Sequence, residues 1–278
     1  MSFFKQPHDI LILRASVRLT EVANGEHEND FRILHEMAAL SANVYEESDE
    51  FDTTWEAVGK RIPIDGWEKL CLSTHELIQP KWKYKVEGLK YELWKKQINE
   101  SKTVVALVFR GTDSLWDWYT NFRWLTRFVP FTWDHYDQVE SILDKIVSEI
   151  HEKVGVQNVK IMSTGHSLGG GLAQLAAYSS PHIKKVFAFD PSPVTGFYGI
   201  KKKEREQNKV GLIIYRIYEH GELLAYVRLM MKLIFPISHA NPQIMEARFN
   251  FVGKNPVSQH NMKKLVEKMT NAIKKVDG

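Results

Sequence analysis

The pentapeptide Gly165-His166-Ser167-Leu168-Gly169 carries the clearest chemical signature in the sequence. A short β-type run precedes it, and an alanine- and leucine-rich run that favours a helix follows it. A serine on a sharp turn between a strand and a helix has a strained backbone, and glycines beside it let the neighbouring chain pass close by. Gly165 and Gly169 meet that demand, so Ser167 is the predicted nucleophile.

A serine hydroxyl is too weakly acidic to attack a carbonyl unaided, so it needs a histidine as general base and a carboxylate that orients this histidine. On a strand-turn-helix elbow the acid follows the serine in the chain and the histidine comes last. His260 lies in a loop between the last predicted strand and the last predicted helix, and catalytic groups collect in such loops. His260 is therefore the predicted base, and His239 is the alternative.

Three carboxylates lie where the acid should be. Glu219 and Glu222 follow the strand predicted over residues 210–218, and Asp190 ends the strand predicted after the elbow helix. The residues alone do not separate these three candidates.

A tetrahedral intermediate also needs backbone N–H donors, one from the residue after the serine and one from a loop after an earlier strand. Leu168 is the first predicted donor. The almost continuously apolar run at residues 103–109 predicts a strand covered on both faces, and it ends in Arg110-Gly111-Thr112. Thr112 is the second predicted donor.

Beyond the pentapeptide, the chain contains VALVFRGT at residues 105–112, followed by Asp117, Trp118 and Asn121. Together with GHSLGG at residues 165–170, this pattern resembles the class 3 lipases of the α/β-hydrolase fold. The likeness extends to MAALSANVY at residues 37–45, which is similar to that family's first helix. It also includes YRIY at residues 215–218, which is similar to the strand before the family's acid.

This resemblance covers about residues 30–262 and implies hydrolysis of lipid esters or other carboxylic esters through a serine, acid and histidine triad. It implies Thr112 and Leu168 as oxyanion donors and, counted from Arg216, Glu222 as the acid. The family usually has aspartate where this chain has Glu222, and it tends to have glycine at the position of Asp190. Asp190 therefore stays a candidate for a structural or supporting carboxylate.

Periodicity along the chain predicts an α/β fold with a mostly parallel sheet flanked by helices. Besides the elbow helix, helical spacing of apolar residues predicts helices over residues 30–47, 136–154 and 261–276. Further strands are predicted over residues 185–189, 210–218 and 247–252. Two alternating runs at residues 81–86 and 89–93, with Glu87-Gly88 between them, predict an antiparallel hairpin at the sheet edge.

Residues 114–134 contain an unusual density of large apolar side chains for a connecting segment. Core packing would use them, and so would a lipid-facing lid or a wall for an acyl chain, which buries apolar surface when closed and exposes it to lipid when open. The predicted contacts to an acyl chain are Trp116, Trp118, Phe122, Trp124 and Phe128. A second apolar stretch at residues 223–235 carries two cations, so it is compatible with a buried helix or with a transient contact at a membrane surface.

Length and composition fit one α/β domain over residues 1–278, with 44% hydrophobic and 26% charged residues. Because 37 basic residues oppose 34 acidic ones, no nucleic-acid partner is expected. The single cysteine excludes an intramolecular disulfide, and neither a signal peptide nor a bilayer-spanning run is predicted. We expect a cytoplasmic protein, or one exported without a signal peptide.

These observations predict a serine ester hydrolase of the lipase or phospholipase type that acts without a cofactor or a metal ion. One alternative is an esterase for small soluble esters. Another is a catalytically silent module of the same fold that binds lipid or associates with membranes.

Overall fold

The structure is a computed structural model that describes residues 10–14, 28–46, 60–72, 77, 79–86, 88–111, 132–155, 159–219, 242–250 and 261–277. In chain order the strands in these ranges are β1 (Ile10–Arg14), β2 (Trp67–Lys69), β3 (Tyr84–Lys85), β4 (Tyr91–Asn99), β5 (Lys102–Phe109), β6 (Thr132–Trp133), β7 (Val159–His166), β8 (Ile183–Phe189), β9 (Ile213–Glu219) and β10 (Gln243–Asn250). The helices are α1 (Glu28–Asn43), α2 (His135–Val154), α3 (Leu168–Ser179), α4 (Lys202–Asn208) and α5 (Met262–Asp277).

Eight strands form one sheet in the order β1-β10-β9-β8-β7-β5-β4-β2. The six strands from β1 to β5 in this order are parallel, and β4 and β2 are added antiparallel at one edge. The predicted mostly parallel α/β sheet with an antiparallel edge is therefore confirmed. The predicted helices and strands that lie in the described ranges are present, with ends shifted by a few residues.

Helices cover both faces of the sheet, and β5 shows how its side chains divide between them. Val104, Ala106 and Val108 belong to the core that α1 and α5 close. Val105 and Leu107 belong to the core beneath α2 and α3. Alternate side chains of one strand point to opposite faces of the sheet, which explains the unbroken apolar run of this strand.

The edge hairpin has a different strand pairing from the one predicted. The partner of β4 is β5, which returns after a turn at residues 100–101. β3 instead pairs in parallel with β6, in a separate two-stranded sheet. Trp82 and Tyr84, whose alternation suggested a half-buried strand, are 67% and 75% exposed. Alternation reveals a strand but not which of its faces is buried.

Parallel strands bring their carboxyl ends to the same edge of a sheet, where binding sites of α/β folds form. Here β5 ends before Arg110, β7 ends before Ser167 and β8 ends before Asp190. Arg110, Ser167 and Asp190 therefore lie at this carboxyl edge. Residues 114–131 of the predicted lid and the whole stretch 223–235 lie outside the described residues.

Candidate functional site

Ser167 occupies a strained turn between β7 and α3. Its φ is 58° and its ψ is −122°, a region that side-chain-bearing residues rarely adopt and that costs about 1–3 kcal/mol. The residue is at the N-cap of α3, yet its side chain makes no capping hydrogen bond. Serine is favoured at N-caps because its hydroxyl accepts from the helix backbone. The Ser167 hydroxyl is not used in this way, so it is not held by its own helix.

Backbone hydrogen bonds hold the strained turn in place. The Ser167 N–H donates to the Phe189 carbonyl at 3.0 Å, and the Ser167 carbonyl accepts from Ser192 N–H at 2.9 Å and from Gly170 N–H at 3.0 Å. These bonds tie the serine to the end of β8 and to the first turn of α3. The serine itself is only 3% exposed.

Glycines are required on both sides of Ser167 because strand and helix backbones touch there. A Cβ on Gly165 would lie 2.5 Å from the carbonyl carbon and oxygen of Gly169. A Cβ on Gly169 would overlap the carbonyl oxygen of Phe109, at the end of β5. Real Cβ atoms do not approach backbone this closely, so the two glycines set the distance between β5, β7 and α3.

The turn after β5 lies beside the serine. A Cβ on Gly111 would be 3.3 Å from the Ser167 Cβ and 2.5 Å from the His166 carbonyl oxygen. The segment that the sequence predicts as an oxyanion loop is therefore next to the predicted nucleophile. Thr112, the predicted donor of this loop, lies outside the described residues.

Tyr45, just beyond the end of α1, joins this turn to the elbow. Its hydroxyl accepts a hydrogen bond from Gly111 N–H at 3.0 Å and lies 3.1 Å from the His166 Nδ1 atom. The Arg110 guanidinium lies 5.6 Å from the centre of the Tyr45 ring. Sequence analysis did not assign a role to Tyr45, because its contact residues are far away in the chain. Its only signal was its place at the end of the family-like stretch 37–45.

Leu168 is the first residue of α3, so its backbone N–H has no acceptor within the helix. The Gly111 N–H is already donated to Tyr45 and the Ser167 N–H to Phe189. Among these N–H groups, that of Leu168 at the start of α3 fits the predicted role of an oxyanion donor. The positive end of the α3 dipole points to the same place.

Asp190 directly follows β8, and the register pairs His166 with Phe189, so Asp190 is level with Ser167 on the neighbouring strand. It is 1% exposed, has a φ of 40° and donates its N–H to the Ile217 carbonyl at 2.7 Å. Glu219 ends β9 at the same edge of the sheet. The structure thus places Asp190 level with Ser167, and it places the backbone of Glu219 at the same edge of the sheet.

The other predicted site residues lie outside the described residues. These are Glu222, His239, His260, Trp116, Trp118, Phe122, Trp124 and Phe128. Their roles remain predictions.

A charged cluster supports β4, the strand that pairs with β5. Arg61 donates two hydrogen bonds of 2.7 Å to the Glu92 carboxylate on β4, and Lys69 lies 3.2 Å from the same carboxylate. Burial alone would raise the pKa of Glu92, but the hydrogen bonds and positive charges of Arg61 and Lys69 lower it overall. The carboxylate therefore stays ionised and holds residues 60–72 against the sheet.

A mostly parallel sheet with helices on both faces, and a serine in a strained strand-to-helix turn at its carboxyl edge, together define an α/β-hydrolase. The chain belongs to the Tle-like phospholipase domain family, whose model matches residues 36–188, more than half of the chain. The predicted lipase family is thus confirmed, and the class of activity is ester hydrolysis of the lipase, esterase or phospholipase type. Among curated proteins, none matches the sequence.

Three solved structures are among those similar to this chain. Lipase II from Rhizopus niveus is 18% identical, with 72% of this chain and 75% of that chain covered and a TM-score of 0.44. The LIP2 lipase of Yarrowia lipolytica is 16% identical, with coverage of 84% and 83% and a TM-score of 0.43. An esterase from the archaeon Pyrobaculum calidifontis is 13% identical, with coverage of 93% and 92% and a TM-score of 0.39.

The described part of the chain contains neither a candidate membrane span nor a candidate metal site. None of its helices combines the length and the apolar character needed to cross a membrane. Nor does it contain a group of three or more histidine, cysteine, aspartate or glutamate side chains arranged to hold a metal ion.

Proposed function

We propose that the protein is a serine hydrolase that cleaves carboxylic ester bonds of phospholipids or acylglycerols through an acyl-enzyme on Ser167. The observation that carries this proposal is the geometry of Ser167, a strained elbow residue whose hydroxyl is not used to cap α3. The phospholipase description of the family favours phospholipids as the substrate class.

The proposed reaction has two steps. The Ser167 hydroxyl attacks the ester carbonyl while His260 takes its proton, and the Leu168 and Thr112 N–H groups stabilise the oxyanion. The intermediate then expels the alcohol, which leaves with the proton from His260. Water, activated by the same histidine, hydrolyses the acyl-enzyme and releases the fatty acid. Glu222 orients His260 and stabilises its charged form.

Three features of the described residues support this assignment of the oxyanion site. The α3 N-terminus begins directly after the serine, the Gly111 turn lies against the serine, and the N–H of Gly111 itself is engaged by Tyr45. A donor placed in this way is worth about 10²–10³ in rate.

Covalent labelling tests the nucleophile. A fluorophosphonate probe should label the wild type and leave Ser167→Ala unlabelled. Ser192→Ala is the matched control, because Ser192 is also buried and its N–H binds the Ser167 carbonyl. This control should keep the label. Equal labelling of the wild type and of Ser167→Ala would refute the assignment.

The acid is tested by comparing kcat of Glu222→Gln, Glu219→Gln and Asp190→Asn. Loss of the acid should lower kcat by about 10⁴, whereas loss of a supporting carboxylate should cost far less. If Glu222→Gln keeps most of its activity, the acid is one of the other two. His260→Ala and His239→Ala separate the two candidate bases by the same criterion.

Substrate class is tested on the purified wild type with three esters. These are a diacyl phosphatidylglycerol, a long-chain triacylglycerol and the soluble p-nitrophenyl butyrate. We expect the highest kcat/KM for the phospholipid. A clear preference for p-nitrophenyl butyrate would instead indicate an esterase for small soluble esters.

A further inference from the structure

Two aromatic side chains are exposed to solvent on one short segment, in and just before β3. Among the large hydrophobic side chains that the structure describes, Tyr84 and Trp82 are the most exposed, at 75% and 67%. They lie two residues apart, and Lys81, Lys83 and Lys85 alternate with them. We name residues 81–85 the aromatic-basic strip.

The strip is held firmly. The Gln79 side-chain amide donates to the Lys83 carbonyl at 2.7 Å, and the Lys83 Nζ atom lies 2.6 Å from the Asp137 carboxylate on α2. The Gln138 side-chain amide donates to the carbonyls of Val86 and Trp133, at 2.7 and 2.9 Å. A fixed backbone at this position keeps both aromatic rings outside the core.

Contacts of α2 place the strip on the side of the molecule that holds Ser167. β3 of the strip pairs with β6, and α2 begins two residues after β6. The Tyr136 hydroxyl in the first turn of α2 donates to the Val194 carbonyl at 2.7 Å. A Cβ on Gly171, in the first turn after Ser167, would be 2.5 Å from this hydroxyl. Strip and nucleophile therefore share the carboxyl edge of the sheet.

We propose that the aromatic-basic strip is a docking surface for an anionic phospholipid membrane. This inference rests on the proposed function, because an enzyme that cleaves membrane lipids must bring Ser167 to the bilayer surface. Tryptophan and tyrosine favour the boundary between headgroups and acyl chains, since one end of each side chain is apolar and the other is polar. Lysines near the surface are attracted by anionic headgroups.

Charge complementarity favours a membrane over a protein partner as the occupant. Three lysines alternate with the aromatic residues over five positions, and the strip itself contains no acidic residue. The cores of protein interfaces are instead depleted in lysine. Lys83 is paired with Asp137, whereas Lys81 is exposed beside the two aromatic residues. This arrangement suits a flat anionic surface, into which the rings insert while the Lys81 ammonium group stays among the headgroups.

The test measures binding to vesicles in the Ser167→Ala background, so that no lipid is consumed. The Ser167→Ala protein should bind vesicles of mixed phosphatidylglycerol and phosphatidylcholine. Adding Trp82→Ala and Tyr84→Ala together should lower its vesicle partition coefficient at least tenfold. Lys81→Gln should lower it about fivefold on these vesicles and not on pure phosphatidylcholine. Ile98→Ala is the matched control, because Ile98 is 49% exposed and lies near the C-terminal end of β4, outside the strip. This variant should bind vesicles as its parent does.

Activity on a soluble ester separates docking from catalysis. With Ser167 restored, the Trp82→Ala and Tyr84→Ala enzyme should hydrolyse p-nitrophenyl butyrate within twofold of the wild type. A parallel loss on this ester would overturn the proposal, and so would unchanged vesicle binding by the strip variant. The wild type could instead form dimers that the same substitutions dissociate, and show no binding to vesicles. In that case the strip is an interface between two copies of the chain and the proposal is overturned. If the wild type cleaves no ester while strip-dependent binding persists, the proposed function fails and the docking surface stands.

Discussion

The Tyr45 hydroxyl joins the turn after β5 to the strained turn that carries Ser167. It accepts from the Gly111 N–H at 3.0 Å and lies 3.1 Å from the His166 Nδ1 atom. Gly111 is followed by the predicted donor Thr112, and His166 is followed by Ser167. One side chain just beyond the end of α1 therefore bridges two turns that follow different strands.

Tyr45→Phe should lower kcat for p-nitrophenyl butyrate about tenfold and change KM less than twofold. Without the hydroxyl the Gly111 N–H loses its acceptor, which costs on the order of 1–3 kcal/mol, and the turn is free to shift away from the elbow. A tenfold change in kcat corresponds to about 1.4 kcal/mol of transition-state stabilisation. Steady-state kinetics and the rate of fluorophosphonate labelling measure the effect.

Tyr198→Phe is the control for Tyr45→Phe, because this tyrosine is 56% exposed. It should leave both kinetic constants unchanged. If Tyr45→Phe lowers the free energy of unfolding but leaves kcat intact, Tyr45 is a structural residue and does not position the turn.

At the scale of elements, the elbow depends on the close contact of α3 with β5. A Cβ on Gly169 would overlap the Phe109 carbonyl oxygen and lie 3.0 Å from the Arg110 carbonyl carbon. These are backbone atoms, which cannot rotate away as a side chain can. A Cβ on Gly170 would instead meet the Pro191 ring first, at 3.0 Å.

Gly169→Ala should therefore lower the free energy of unfolding by about 3 kcal/mol, at the upper end of the cost of overpacking. Gly170→Ala should cost less, about 1 kcal/mol, because its nearest contacts lie at 3.0–3.1 Å and need to move by only a few tenths of an ångström. Urea denaturation of the two variants and the wild type gives the comparison. Equal stability of the two variants would contradict the assigned contact.

The elements around the elbow could be predicted because they depend on short-range patterns. The strand-turn-helix of the nucleophile follows from apolar residues, glycines and a helix-forming run within about twenty positions. The hairpin partner of β4 and the exposure of Trp82 could not be predicted in this way. Period-two alternation is the same whether the apolar face meets a core or solvent, and only the neighbouring elements decide between them.

Contacts between distant parts of the chain limit prediction in the same way. Residues 10–14 form β1 and pair in parallel with β10, more than 230 residues further along the chain. Tyr45 and His166 meet although 121 residues separate them. Neither partner leaves a local pattern that identifies the other. The strained turn at Ser167 could therefore be predicted, whereas its contact with Tyr45 could not.

At the scale of the whole molecule, α1 and α5, which are far apart in the chain, pack against each other on one face of the sheet. His35 of α1 and Thr270 of α5 share a hydrogen bond of 2.7 Å between Nε2 and Oγ1. Burial, and secondarily the charge of Arg32, lower the pKa of His35 from 6.5 to about 4. The folded protein therefore keeps His35 neutral at a pH where the unfolded chain protonates it.

This difference makes stability depend on pH. Because the unfolded state binds more protons between pH 6.5 and about 4, the free energy of unfolding should fall as the pH drops through this window. A shift of this size corresponds to roughly 3 kcal/mol once the pH is below the folded-state pKa. His35→Gln should flatten the loss between pH 7 and 5, as measured by urea denaturation at each pH. Thr270→Val removes the hydrogen bond but not the burial of His35, so the free energy of unfolding should keep its dependence on pH. If His35→Gln also keeps this dependence, His35 is not its source.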